Sequence, residues 1–140
     1  MKDRVWRDKI IFLVILLLLA MSSINSAVAA GVKAVHGGQL QKGSSNHYYE
    51  MTLREVDPAL HTQEMVLYVY DMQGRPQVVR QVTARAVIII GREKVNMDLP
   101  SVGGNRLVGS ALFMPQAGMR VLVTVSWSDD QFPEQVKFGT

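Results

Sequence analysis

Two histidines and a glutamate pose the chemical question. The stretch AVHGGQLQKGSSNHYYEM, residues 34–51, carries His36, His47 and Glu50, with a double glycine after the first imidazole. Imidazole nitrogen suits copper, zinc and nickel, and a carboxylate is a further available ligand. The chain has no cysteine, so thiolate ligands, disulfides and cysteine nucleophiles are excluded. The third histidine, His61, lies in the segment DPALHTQ and is expected to be solvated. Thioethers would favour Cu(I), but there is no tight Met-x-x-Met cluster; Met65, Met97 and Met114 read as fillers of core gaps.

Spacing limits what these groups can do jointly. His47 and Met51 share one face of a strand, yet four residues of strand span about 13 Å, too far for one small ion. If Gly43-Ser44-Ser45 is a hairpin loop, His36 falls roughly 16 Å from His47 along the ladder and nearer to Glu50. A site shared by both imidazoles therefore needs Gly37-Gly38 to fold the first strand back. The open alternatives are that His36 meets Glu50 or that it meets His47, with Glu50 a carboxylate ligand or the group that orients an imidazole.

The elements that would position these residues read as strands. No segment after residue 30 sustains a helical period; short apolar runs recur between Gly, Pro, Asn and Asp. Strands are expected over 32–41, 47–56, 65–71, 82–90, 93–99, 106–114, 120–127 and 135–138, with Gly91-Arg92 a tight hairpin loop and DPALHTQ a long loop or a single helical turn. In the second strand His47, Tyr49, Met51 and Leu53 form the expected core face, because Glu50 and Arg54 occupy the other. Val121, Val123 and Val125 are expected to point inward, and Ile88-Ile89-Ile90, apolar on both faces, suits a central strand or one covered by a loop. Seven or eight short strands in about 110 residues predict an all-β fold, a single immunoglobulin-like antiparallel β-sandwich.

The first thirty residues stand apart. Basic residues Lys2, Arg4, Arg7 and Lys9 precede the apolar run IIFLVILLLLAM, and the small-residue segment SSINSAVAA follows. This order is that of a secretory signal peptide with a helical apolar core. The rival is a retained membrane anchor, but a spanning helix needs about 20 apolar residues and this run has twelve. Residues 1–29 are thus expected to be a signal peptide and 30–140 the sandwich domain, with the membrane touched only through that leader. Removing the leader takes four basic and two acidic side chains from totals of 15 and 12, so the remainder carries a net charge of +1. No basic stripe of the kind that binds nucleic acid remains.

Enzyme signatures are missing from the sequence. There is no G-x-S-x-G nucleophile elbow, no phosphate-binding P-loop and no dinucleotide fingerprint, so the expectation is a protein that is not an enzyme.

Three motifs together resemble one family. They are His36-Gly37-Gly38 followed by His47-Tyr48-Tyr49-Glu50-Met51, then Val69-Tyr70-Asp71-Met72-Gln73-Gly74-Arg75-Pro76, then Gly103-Gly104-Asn105-Arg106-Leu107-Val108-Gly109. The chain resembles the small exported immunoglobulin-like domains found with bacterial heavy-metal efflux systems. A similar H-G-G segment followed by an aromatic-Glu-Leu strand occurs near the start of some periplasmic adaptor proteins of cation efflux pumps. The resemblance spans roughly His36 to Phe138. It implies a periplasmic, non-enzymatic accessory protein that binds copper or another divalent transition metal, with an efflux-system or other envelope protein as partner. His36 and His47 match the family's histidine positions and Glu50 its acidic position; Met51 stands where the family has Leu and is not counted as a ligand. A reading from another class is an envelope protein-interaction module without metal, docking through exposed aromatics (Tyr48, Tyr70, Trp127) and free edge strands.

Export with cleavage before Ala30 predicts that the secreted chain has 111 of the 140 residues. Intact mass spectrometry of the periplasmic fraction checks this; a full-length chain recovered from membranes would mark residues 1–29 as an anchor.

Overall fold

The structure, a computed structural model, describes residues 32–128 and 132–139. The expected signal-peptide helix over residues 1–29 lies outside the described residues. Eight strands follow one another: β1 (Gln39–Lys42), β2 (Tyr48–Asp57), β3 (Thr62–Tyr70), β4 (Thr83–Ile90), β5 (Glu93–Gly103), β6 (Arg106–Leu112), β7 (Arg120–Ser126) and β8 (Glu134–Gly139). All pairings are antiparallel, and the spatial order is β1-β2-β3-β6-β5-β4-β7-β8. The all-β sandwich expected from the strand pattern is therefore what the chain builds. Its connections are two interlocking Greek keys, since β3 lies beside β6 and β4 beside β7. The second strand pairs with the first and third, not with the fifth as it does in the immunoglobulin order.

One strand joins the two layers. The first part of β5 pairs with β4 up to Pro100, and Ser101 and Gly103 pair with Leu107 and Arg106 of β6. Pro100 has no N–H to give a ladder, and it sits where β5 leaves one partner for the other. The sequence placed the end of this strand at Leu99; the chain instead bends through the proline and continues to Gly103. At the far ends of the order, side chains complete the closure. Gln39 Nε2 donates to the Gly139 carbonyl at 2.6 Å. Ser44 N donates to the Gln135 carbonyl, and Gln135 N to Ser44 Oγ, both at 2.9 Å. The two edge strands are thus tied at these points without forming a ladder.

The core follows the alternation. Tyr49, Met65, Leu67, Val69, Ala86, Ile88, Leu99, Leu107, Val123 and Val125 are fully buried. The inward valines of β7 are as expected, and β4, flanked by β5 and β7, is a central strand with Val87 and Ile89 half-buried on its outer face. Met65 and Met97 fill the core, but Met114 lies beyond the end of β6 and is exposed. DPALHTQ makes no helix. Asp57 Oδ1 accepts from the amides of Ala59 and Leu60, His61 takes a left-handed φ of 53°, and β3 begins at Thr62, three residues earlier than the apolar run suggested. His61 is half exposed and 3.4 Å from Glu55.

Gly109 in β6 lies against the backbone of β5 at the corner. A Cβ there would meet the Asp98 carbonyl oxygen, which is main chain and cannot swing aside. Gly109→Ala is therefore expected to destabilise the domain by about 1–3 kcal/mol, read as a lower urea midpoint with an unchanged slope.

Candidate functional site

The path of the H-G-G segment is set by a buried charge. Glu50 alternates onto the outer face of β2, as the sequence pattern placed it, yet its side chain is fully buried. The segment before β1 covers it. Glu50 Oε1 accepts from Val35 N at 3.1 Å, His36 Nδ1 at 3.0 Å and the Tyr70 hydroxyl at 2.9 Å. Glu50 Oε2 accepts from His36 N at 2.8 Å and Gly38 N at 2.9 Å. Successive backbone amides converging on one anion form a nest. Gly37 supplies the turn with φ 74°, which a residue bearing a Cβ adopts only under strain. Gly38 supplies close approach: a Cβ there would meet the Met51 carbonyl oxygen and the Thr52 methyl. Each residue of the motif thus has a separate physical task. The first strand, expected from residue 32, starts only at Gln39, because the amides before it point at the carboxylate instead of a neighbouring strand.

An ionised carboxylate only accepts, so His36 Nδ1 carries the proton in this contact. The imidazole also lies flat on Tyr68, with ring centroids 3.6 Å apart and planes within 5°. Burial alone would raise the Glu50 carboxyl. The Gly38 amide, the His36 imidazole and amide, and the Tyr70 hydroxyl outweigh it and hold the pKa at about 2, below the ordinary 4.5. The same contact works in reverse on Tyr70, whose hydroxyl is pushed up by burial and by the adjacent Glu50 charge.

A second clasp repeats the recipe on the other face. Glu134 opens β8 and is 3 % exposed. It accepts from Ser45 N at 3.0 Å, His47 Nδ1 at 2.8 Å and the Tyr49 hydroxyl at 2.5 Å. His47 stacks on Trp127 at 4.2 Å with planes 10° apart, and Trp127 Nε1 donates to the Tyr49 hydroxyl at 3.2 Å. A Cβ on Gly43 would strike Glu134 Oε1 and the Tyr49 ring, so this loop needs its glycine as the first clasp needs Gly38. Burial first, and Glu134 second, push the Tyr49 hydroxyl up.

The structure therefore brings His36 to Glu50 and His47 to Glu134. Tyr49 and Glu50 are consecutive in β2 and point to opposite faces, so the clasps lie on opposite sides of the sheet. His36, His47 and Glu50 do not converge on one point. Among the described residues, no group of three or more histidine, aspartate or glutamate side chains is arranged to hold a metal ion. Glu50 already takes five donors, more than the roughly four lone-pair directions a carboxylate offers. It could bind a metal only by releasing the H-G-G turn. Two of the aromatics expected to be exposed are spent inside: Tyr70 is buried on Glu50, and Trp127 is partly buried against His47.

Glu134 was not singled out by the sequence, although a signal existed. It shares the parity of Val136 and Phe138, so an acid stood in the inward register of the last strand. Comparison with protein families, with curated proteins and with solved structures finds no match.

Because the folded pKa of Glu50 is depressed, its contribution is fully present above about pH 4.5. It is lost as pH falls through about 2. The contribution at neutral pH is on the order of 3 kcal/mol. Glu50→Gln turns an amide donor toward amide donors and is expected to cost about 2–4 kcal/mol. Urea unfolding from pH 7 to pH 2 checks both: the gap between wild type and variant should narrow toward acid. A constant gap would contradict the charged clasp.

Proposed function

We propose that this chain is a non-enzymatic interaction module of a bacterial envelope assembly, exported to the periplasm, with cation efflux the process to which its sequence motifs connect it. The observation that carries this reading is the state of the acids. The carboxylate best placed to act as metal ligand or general base, Glu50, is fully occupied by five donors from the chain itself. Glu134 is buried and holds a loop in the same way. A carboxylate so saturated holds a segment of the chain in place, and a sandwich fixed in this way supports a binding face built on its strands.

One observation favours a second reading, in which the chain handles copper or another divalent transition metal. Both imidazoles give Nδ1 to a buried carboxylate, the arrangement that orients a metal-ligating histidine through its other nitrogen. His36 and His47 would then act as separate single ligands, with Glu50 and Glu134 as orienting groups.

Titration with Cu(II), Cu(I) and Zn(II), repeated on His36→Ala and His47→Ala, separates the two. The interaction module predicts no site tighter than on the order of micromolar, and partner complexes that survive a strong chelator. A tighter site abolished by either substitution, with partner release by the chelator, would replace it with the metal reading.

A further inference from the structure

The outer face of β4, β7 and β8 carries a charge pattern that neither clasp explains. Pairing places Lys94, Ile89, Arg120 and Gly139 in one row across four strands, and Asn96, Val87, Leu122 and Lys137 in the next. Side chains directly opposite one another share a face, so these two rows form one surface. Its centre is apolar and half-buried: Val87, Ile89 and Leu122. Its rim is three exposed cations, Lys94, Arg120 and Lys137, none in an ion pair among the described residues. Neither row contains an acid. The nearest acid on the face, Asp98 in the following row, is already held by Arg85 at 3.0 Å. The glycine at position 139 leaves one corner without a side chain, and a groove of about 450 Å³ opens there between Ile89, Arg120, Leu122 and Lys137.

Resting on the reading of the chain as an interaction module, we infer that this face docks an acidic, apolar peptide segment of a partner protein in extended conformation. Charge complementarity selects the partner: three unpaired cations gather on a domain whose net charge outside the leader is only +1. Spacing selects its form. Neighbouring strands lie about 4.8 Å apart and diagonal cross-strand neighbours about 7–8 Å. Arg120 and Lys137 are such diagonal neighbours on β7 and β8, and their spacing is close to the roughly 6.8 Å between alternate side chains of an extended chain. The apolar floor selects protein over lipid. None of the large apolar side chains exposed in this domain lies on these two rows, so nothing projects to enter a bilayer.

The test uses the chain as secreted. Fluorescence anisotropy would follow a short labelled peptide alternating Glu with Leu, beside the same peptide with Lys for Glu, and beside phosphatidylglycerol vesicles. The expected result is binding of the acidic peptide alone, weakened at least about fivefold between low and physiological salt. Reversal of the rim, Arg120→Glu with Lys137→Glu, should weaken it at least about tenfold, an effect of the size seen for complementary charges across interfaces. Arg80→Glu, in the β3–β4 connection away from this face, should change it less than about twofold. Equal binding of the Lys peptide, indifference to the rim reversal, an equal loss with Arg80→Glu, or preference for the vesicles would each overturn the assignment. A partner complex that resists chelator but ignores the rim reversal would sink this face while leaving the interaction module standing. Chelator-sensitive binding would remove the module itself.

Discussion

A carboxylate buried without compensation costs several kcal/mol, and much of this domain is arranged around avoiding that cost. Glu50 is fully buried in a sheet face that would otherwise be half solvated. Its charge is kept by drawing three main-chain amides, one imidazole and one phenol onto two oxygens. The consequences spread outward. The N-terminal segment must turn at Gly37, press Gly38 on the β2 backbone, and delay the start of β1 to Gln39. Tyr70 must lie inward from the end of β3, and Tyr68 is left as the platform for the imidazole. A residue type that usually marks a solvent face here determines where the chain enters the domain.

Glu134 uses the same chemistry to solve a different problem. The spatial order leaves β1 and β8 at opposite ends of the strand sequence, and only a few residues of each can meet. The loop between β1 and β2 closes the gap by bringing the Ser45 amide and the His47 imidazole onto the Glu134 carboxylate, while Ser44 exchanges two hydrogen bonds with Gln135. With no disulfide available, the two clasps are the polar staples of a sandwich of modest size. They also explain why each histidine has a glycine near it in the chain, Gly37-Gly38 after His36 and Gly43 four residues before His47. An anion-binding turn needs a residue that tolerates close approach, and an imidazole adds a side-chain donor to the backbone ones.

Spending both acids this way bears on function. His36, His47 and Glu50 read as candidate metal ligands in the sequence; in the structure Glu50 and Glu134 each take donors from the chain itself. The outer face of β4, β7 and β8 is built differently: there Lys94, Arg120 and Lys137 surround an apolar floor and none is in an ion pair among the described residues. One clasp fixes the segment before β1 and the other fixes the β1–β2 loop onto β8, while the outer face of β4 and β7 is left to solvent.

Much of the fold was legible because it depends on local pattern. Period-two alternation placed Tyr49, Met51 and the β7 valines inward, and turn chemistry placed the Gly91-Arg92 hairpin. Strand arithmetic separated His36 from His47 and put His36 nearer Glu50, which is where it lies. The partners lay beyond local pattern: Glu134 is 87 residues from His47, and Trp127 is 78 from Tyr49. Nor could alternation show that Glu50, on the polar parity of its strand, is buried, because what buries it is a segment that is not a strand. By itself the sequence determined that the chain is all-β and which side chains of β2 and β7 point inward, since these follow from side-chain period. Only the tertiary structure decided which acid each histidine meets and which face remains uncovered. Those outcomes depend on strand order and on a desolvated charge recruiting whichever donors the fold brings within reach.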